Sequence, residues 1–159
     1  MPATFYLIRH GESTLNAAGV KYGSLNPPLT PCGRKQTHQV AERLHGQVES
    51  IVTSPLTRAL EFATALAILL QLPQPIVLEN LRERTFGDAE GMTADMINHH
   101  WPTGDIPGME TVNSAAARAA QTLNQLEGHV AVVTHAGVIR GLSGQRARNG
   151  DIVTICGPL

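Results

Sequence analysis

An arginine and a histidine stand together directly after the first apolar run of the chain. Residues 5–8 form this run, FYLI, and Arg9, His10 and Gly11 follow it. The guanidinium of Arg9 offers a planar set of donors that fits phosphate oxygens. The imidazole of His10 is a potential nucleophile, and Gly11 permits the sharp turn that would expose both side chains. A strand that merely ends in polar residues would give the same three letters, but the pattern also predicts an anion site beside a nucleophile.

Two more segments that are predicted to be strands are followed by residues of the same chemical types. Residues 48–53 are followed by SPLTR, which ends in Arg58, and residues 129–134 are followed by His135, Ala136 and Gly137. We expect Arg58 in the first turn of a helix, where backbone N–H groups and the helix dipole favour an anion. Taken singly, Arg58 could be a solvated helix residue and His135 a half-buried structural histidine. The carboxyl ends of parallel strands meet at one edge of a sheet. The two arginines and two histidines at these ends therefore together predict one anion site.

The elements that must position these residues alternate between strand and helix. Strands are predicted at residues 4–8, 48–53, 76–78, 129–134 and 151–156, and helices at residues 31–45, 55–72 and 115–126. Thr30-Pro31 and Ser54-Pro55 each place an N-cap residue before a proline, which is the usual order at a helix start. Residues 87–112 are rich in glycine and proline and are predicted to form an irregular loop.

Strands separated by helix-length segments are typical of βαβ units. The sequence therefore predicts an α/β fold, a three-layer sandwich in which helices flank a mainly parallel central sheet. A length of 159 residues fits one domain, residues 1–159, with one sizeable core. We expect a short lid from the irregular loop.

Composition excludes several classes of function. The net charge is −1 and only 4% of the residues are aromatic, so neither a basic field nor stacking platforms favour nucleic acid. The longest apolar segment, residues 63–72, is too short to span a bilayer, and no signal-peptide pattern is visible. Cys32 and Cys156 fit reduced thiols better than a disulfide framework. We expect a soluble cytoplasmic protein without nucleic-acid or membrane partners.

A series of ordered motifs resembles the histidine phosphatase superfamily, which includes cofactor-dependent phosphoglycerate mutases and many small phosphatases. The matching segments are RHGE with Asn16 six residues after His10, LNPPLT with Gly33, SPLTRA, LRERTFG, GMET and THAGVIR. Two departures stand out: Asn26 replaces a usual aspartate, and Tyr22 precedes Gly23 where a small or amide side chain is more familiar. Only 24 residues follow His135, so the resemblance also implies a trimmed final helix and strand.

The resemblance implies a role for each site residue. His10 would attack phosphorus and form a phosphohistidine, and Glu83 would protonate the leaving alkoxide and then activate water. Arg9, Arg58 and His135 would stabilise the charge on the phosphoryl oxygens. The substrate phosphate would be bound by Arg9, Asn16, Gly23, Arg58, His135 and Ala136. The implied activity is hydrolysis of a small phosphorylated metabolite, with no metal and no cofactor, because the arginines and histidines neutralise the phosphate.

Other functions in or near this family make different demands on the sequence. A phosphoglycerate-type mutase must hold a second anionic group, whereas residues 85–117 contain no lysine or arginine and five acidic residues. If this segment forms the lid, it should repel a second anion, which favours hydrolysis. A protein phosphohistidine phosphatase would not need Glu83, and a non-catalytic phosphate-binding module would need neither Glu83 nor His10.

Further residues are candidates for other sites. The pair His99-His100 suggests zinc, but adjacent helical residues point apart and no cysteine pair or carboxylate motif accompanies them, so we favour a loop or helix end. For the walls of the substrate pocket we expect the side chains of Lys21, Tyr22, Arg84, His99 and Trp101.

Overall fold

The computed structural model describes residues 2–159, which form seven strands and six α-helices. The strands are β1 (Thr4–Arg9), β2 (Val20–Lys21), β3 (Ser50–Thr53), β4 (Ile76–Val77), β5 (Met92–Thr93), β6 (His129–Thr134) and β7 (Ile152–Cys156). The helices are α1 (Thr14–Ala17), α2 (Pro31–Leu44), α3 (Thr57–Leu70), α4 (Ala94–His100), α5 (Val112–Leu123) and α6 (Ala136–Ser143). Among residues 2–159, no helix has both the length and the hydropathy needed to cross a bilayer.

Five of the strands form the central sheet, in the order β4-β3-β6-β1-β7. The first four are parallel to one another, and β7 pairs with β1 in the antiparallel direction at one edge. Helices α2 and α3 pack on one face through side chains such as Val40, Leu44, Phe62 and Leu66. Helices α5 and α6 pack on the other face, with Leu123 and other apolar residues. The predicted three-layer α/β sandwich with a mainly parallel sheet is confirmed.

The register of the central strands aligns the predicted site residues. In the parallel pair β1 and β6, Arg9 lies opposite Thr134, and in β3 and β6, Thr53 lies opposite Val133. The chain therefore leaves the sheet at nearly the same level after each strand. His10 and His135 follow as neighbours, and the helix that carries Arg58 begins just beyond β3. The prediction that these strand ends meet is confirmed.

Several predicted boundaries differ from those of the structure. Helix α3 begins at Thr57 and not at Pro55, and helix α5 spans Val112–Leu123 where the sequence predicted residues 115–126. The loop predicted at residues 87–112 contains a short 3-10 turn, strand β5 and helix α4. Strands β2 and β5 pair in a separate two-stranded sheet that the sequence did not predict.

The sequence reasoning also missed helix α6, which starts directly after His135. Its eight residues include two glycines, and such a composition has low intrinsic helix propensity. Tertiary packing explains both glycines. A side chain at Gly141 would collide with α5 at the Val112 carbonyl and the Ala116 methyl, and one at Gly137 would collide with the Glu83 carboxylate. Close packing on α5 therefore stabilises a helix whose local sequence does not favour it.

Candidate active site

His10 is buried, with 3% of the residue's surface exposed. Its Nδ1 lies 2.7 Å from the carbonyl oxygen of Gly11, which can only accept, so Nδ1 carries the proton. The lone pair of Nε2 then faces the Nε–H of Arg58 at 3.3 Å. Burial and the neighbouring charges of Arg58 and Arg9 lower the pKa of His10 to about 3. The imidazole is therefore neutral at physiological pH, and Nε2 is its nucleophilic atom.

Arg58 is the largest fully buried side chain of the described residues and lies in the first turn of α3, as predicted. Its Nη1 donates to the carbonyl of Leu25 at 2.8 Å, and its Nη2 donates to the carbonyl of Gly23 at 3.0 Å. The guanidinium lies over the ring of Tyr22, 4.5 Å from the centroid, and the Tyr22 hydroxyl bonds to that of Ser13. Neutral groups hold Arg58 in place, so its full charge remains available to an anion.

The start of α3 is capped by residues other than those the sequence indicated. Leu56 occupies the N-cap position, and the Thr57 N–H donates to Oδ1 of Asn26 at 2.7 Å. Ser54 does not cap the helix as predicted. Its hydroxyl accepts from the Leu56 N–H at 3.2 Å and shares a hydrogen bond of 2.8 Å with Nε2 of His135. Asn26, which replaces the usual aspartate of the family motif, therefore fixes the helix that carries Arg58.

His135 lies beside His10, with the two ring centroids 5.1 Å apart in an edge-to-face arrangement. The residue is fully buried, and its Nδ1 has no hydrogen-bond partner within residues 2–159. Burial, together with the charge of Arg58, holds the pKa of His135 well below its usual value. A buried polar nitrogen without a partner carries a free-energy penalty that a bound phosphate oxygen would relieve.

Residues in the C-terminal part of the chain hold Arg9 and Asn16 in place by hydrogen bonds. Nη1 of Arg9 donates to the carbonyl of Ala147 at 2.9 Å, while its Nε has no partner within the described chain. The Nδ2 group of Asn149 donates to Oδ1 of Asn16 and to the carbonyl of His10, each at 3.1 Å. Sequence reasoning missed Asn149, because it lies in the irregular segment between α6 and β7, where no motif or period marks it.

Glu83 presents a half-buried carboxylate held by two backbone N–H groups. Its Oε1 accepts from Arg84 at 2.8 Å, and its Oε2 accepts from Gly137 at 3.0 Å. Because a side chain at Gly137 would collide with this carboxylate, glycine is required there for the close approach. Burial raises the pKa of Glu83, although the two N–H groups and the charges of Arg84 and Arg58 oppose the change. A raised pKa suits a group that must donate a proton.

A small cavity, which we call the inner cavity, lies where these groups converge. Its volume is about 40 Å³, and it is lined by Arg9, His10, Asn16, Val20, Tyr22, Arg58, Glu83 and Ala136. Most of the predicted catalytic and phosphate-binding residues thus line one cavity, whereas His135 lies beside His10 and is not among the lining residues. Gly23 differs from the prediction. Its N–H donates to the carboxylate of Glu90 at 2.9 and 3.0 Å, and its contribution is the carbonyl that holds Arg58.

A larger space, which we call the outer cavity, adjoins the inner one and shares Arg9, Glu83 and Ala136 with it. Its volume is about 330 Å³, and its other lining residues are Lys21, Arg84, Phe86, Gly137, Arg140, Arg146 and Ala147. Among the predicted pocket walls, Lys21 and Arg84 line the outer cavity and Tyr22 lines the inner one. His99 and Trp101 line neither cavity.

The acidic segment at residues 85–117 contributes little to the wall of the outer cavity. Of residues 85–117, only Phe86 lines this cavity, so the acidic residues of that segment do not form its wall. Glu110, for example, faces Arg118 and accepts from its Nε and Nη2, each at 2.9 Å.

Within residues 2–159, no group of three or more histidine, cysteine or acidic side chains has the arrangement of a metal site.

Comparisons with known proteins point to one family. The sequence model of the histidine phosphatase superfamily (branch 1) matches residues 5–148. An uncharacterized phosphatase of Bacillus subtilis is 31% identical over 142 residues, which cover 86% of this chain and 73% of that protein. A metal-independent phosphoserine phosphatase of Arabidopsis thaliana is 32% identical over 86% of this chain and 65% of its own length. The solved structure of a mycobacterial glucosyl-3-phosphoglycerate phosphatase matches with a TM-score of 0.89 and 25% identity, over 99% of this chain and 91% of that one.

Proposed function

The chain belongs to the histidine phosphatase superfamily, and from this premise and the geometry of its site we propose that it hydrolyses small phosphomonoesters through a phosphohistidine on His10. One observation carries the proposal. A neutral imidazole, whose Nε2 lone pair accepts from the Nε–H of Arg58, borders a cavity that is also lined by the half-buried carboxyl group of Glu83. Nucleophile, anion-binding groups and proton donor are therefore arranged around one space of phosphate size.

The first step transfers the phosphoryl group to the enzyme. The lone pair of His10 Nε2 attacks phosphorus, the bond to the ester oxygen breaks, and the leaving alkoxide takes the proton of Glu83. Arg9, Arg58 and the Nδ2 group of Asn16 would bind the phosphoryl oxygens. If the Ser54 hydroxyl donates to Nε2 of His135, the Nδ1–H of His135 is available to a third oxygen. The Ala136 N–H, in the first turn of α6, has no helical partner and can bind another.

The second step returns the enzyme to its starting state. Water attacks phosphorus, its proton passes to the Glu83 carboxylate, and the bond between phosphorus and Nε2 breaks. Inorganic phosphate leaves, and both His10 and Glu83 regain their initial protonation. Hydrolysis requires only that water reaches the intermediate, whereas a mutase must retain the dephosphorylated product until it is rephosphorylated.

The free cysteines Cys32 and Cys156 fit a reducing compartment, and we propose that the enzyme acts in the cytoplasm.

Trapping the intermediate tests this proposal. We expect wild-type enzyme, quenched during turnover of a ³²P-labelled monoester, to carry label that is lost in acid and kept in alkali, as for a phosphohistidine. His10→Ala should carry no label and show no turnover, because the nucleophile is gone. It should still bind inorganic phosphate, since Arg9 and Arg58 remain. His38→Gln, at an exposed position on α2, is the matched control and should behave as wild type.

Two outcomes would contradict the proposal. Substantial turnover by a folded His10→Ala enzyme would remove the nucleophile assignment. Rapid interconversion of 3-phosphoglycerate in the presence of a bisphosphoglycerate primer, in excess over release of inorganic phosphate, would show that the intermediate returns its phosphoryl group to substrate and that the enzyme is a mutase.

A further inference from the structure

The outer cavity concentrates positive charge beside the catalytic groups. The chain contains twelve lysine and arginine residues and has a net charge of −1. Five of those twelve side chains line this one cavity, and Glu83 is the single acidic residue among its lining residues. The five come from separate parts of the chain: Arg9, Lys21, Arg84, Arg140 and Arg146. Four of them, all but Arg9, lie outside the inner cavity and are not used by the mechanism described above.

These cations are not neutralised by neighbouring carboxylates. In the described part of the chain the ion pairs join Arg34 to Glu61, Arg82 to Glu79 and Arg118 to Glu110, and none involves a residue of the outer cavity. Arg84 is half-buried, and its Nε is buried without a hydrogen-bond partner. Burial and the charge of Arg140 lower the pKa of Arg84, against the opposing charges of Glu83 and Glu110. The positive charges therefore repel one another across the cavity, and a bound anion would relieve that repulsion.

The position of Glu83 determines which part of a substrate enters the outer cavity. Glu83 must lie next to the leaving oxygen in order to protonate it. Because Glu83 lines both cavities, a substrate whose phosphate occupies the inner cavity directs its leaving group into the outer one. At about 330 Å³ the outer cavity has room for a small organic group. The body of the substrate therefore meets the four additional cations.

We propose that the outer cavity is a subsite for a second anionic group, a carboxylate or a second phosphate, on the leaving-group side of the substrate. Arg140, on α6, and Arg146, in the segment that follows it, are the specificity-determining residues of this subsite. The proposal rests on the proposed function, and it narrows the substrate class to small phosphomonoesters that carry another negative charge. The charge is supplied by the C-terminal part of the chain and not by residues 85–117.

Matched substrates test the subsite. The substrate with a carboxylate is 3-phosphooxypropanoate, and its neutral counterpart is the amide 3-phosphooxypropanamide. A third substrate, propane-1,3-diol bisphosphate, carries a second phosphate in place of the carboxylate. We expect kcat/KM to be about tenfold higher for the carboxylate than for the amide, mainly through KM, because hydrogen bonds to charged groups contribute more than neutral ones. Comparison of the carboxylate with the bisphosphate identifies which anion the subsite prefers. The preference for the charged substrates over the amide should decrease at high salt, since Arg140 and Arg146 are exposed.

Two variants and a control locate the effect. Arg140→Gln and Arg146→Gln should each reduce the preference for the charged substrates about threefold to tenfold and leave kcat/KM for the amide unchanged. Arg43→Gln removes one positive charge from the exposed surface of α2 and is the matched control. It should leave the preference unchanged, because the effect depends on the location of the charge and not on the net charge of the protein.

A binding measurement separates this proposal from the proposed function. In the His10→Ala protein, 4-phosphonobutanoate should bind more tightly than its amide in calorimetry, and Arg140→Gln should remove that difference, whether or not the enzyme turns over. Equal affinity for acid and amide, or equal kcat/KM for both in wild type, would overturn the subsite. If the anion preference is present but no phosphohistidine forms, the proposed function fails while the subsite stands.

Discussion

The carboxyl group of Glu83 experiences two opposing influences. Burial disfavours its charged form, while two backbone N–H groups and the charges of Arg84 and Arg58 stabilise it. Burial is the stronger influence, and the pKa is raised. The N–H groups fix the position of the carboxyl group without neutralising it. A general acid needs a defined position beside the leaving oxygen, and a raised pKa favours the protonated form that donates.

Leaving-group chemistry tests this role of Glu83. Glu83→Gln should slow phosphorylation of His10 by an alkyl phosphate by about 10²- to 10⁴-fold, because the basic alkoxide must be neutralised as the bond breaks. With p-nitrophenyl phosphate the leaving group is already stable, so the phosphorylation rate should change little. Single-turnover bursts are the measurement, since loss of the base also slows the second step. Equal slowing with both substrates would indicate a binding or structural role for Glu83.

At the scale of secondary-structure elements, Glu90 joins two segments that carry site residues. Its carboxylate accepts from the N–H groups of Gly23, Ser24 and Phe86 and from the Ser24 hydroxyl, at 2.9 to 3.0 Å. Burial by itself would raise the pKa of Glu90, but these hydrogen bonds lower it overall. The segment after β2, which holds Arg58 through Gly23, is thereby fixed to the segment that follows Glu83. Gly23 packs so closely there that a side chain would collide with the Arg84 carbonyl.

Removal of one acceptor oxygen from Glu90 should therefore disturb the position of Arg58. Glu90→Gln removes the charge and, with the amide oxygen at the Oε1 position, places its NH₂ group against the Gly23 N–H, and we expect the free energy of unfolding to fall by about 1–3 kcal/mol. We also expect kcat/KM for p-nitrophenyl phosphate to fall, because this substrate depends on Arg58 and little on the proton of Glu83. Asp88→Asn, at an exposed position two residues away, is the control for urea unfolding and kinetics. Unchanged stability and kinetics in Glu90→Gln would show that the junction does not depend on the carboxylate.

For the whole molecule, the site requires two histidines to be buried in their neutral form. The folded protein protonates His10 only near pH 3, whereas the unfolded chain does so near the ordinary value of about 6.5. Below that ordinary value the unfolded state binds more protons, so stability decreases as the pH falls from about 6.5 towards 3. His135 acts in the same direction, because burial lowers its pKa as well. The fold is therefore less stable in acid because its two site histidines are buried in the neutral form.

The pH dependence of unfolding measures this cost. Between about pH 7 and about pH 5, wild type should lose about 2 kcal/mol more stability than His10→Gln, since the variant cannot protonate at this position when it unfolds. Denaturant unfolding of both proteins at the two pH values gives the difference. His38→Gln serves as the control for loss of an exposed histidine. Parallel losses in wild type and His10→Gln would show that His10 is not held neutral in the folded state.

The sequence by itself determined the fold class and most of the site, because both depend on local patterns. Apolar runs followed by Arg9-His10, Arg58 and His135 predicted strand ends that meet, and the parallel register brings them together. Helix α2 begins at Pro31 behind Thr30 as predicted, since the Thr30 side chain caps it through the Gly33 N–H at 3.1 Å. These features arise from interactions between residues close in the sequence, or from the general rule that parallel strands align their carboxyl ends.

Tertiary structure alone decided the features that depend on contacts between distant segments. Asn149 holds Asn16 across 133 positions of sequence, Glu90 holds Gly23 across 67, and Gly137 contacts Glu83 across 54. Helix α6 forms despite its glycines because packing against α5 outweighs local propensity. The repulsion expected if residues 85–117 formed the lid does not apply to the outer cavity, since Arg140 and Arg146 contribute to its wall and the acidic residues of that segment do not. The sequence gives the number and order of the charged residues. The electrostatic field at a site depends instead on which charged side chains the fold directs towards it.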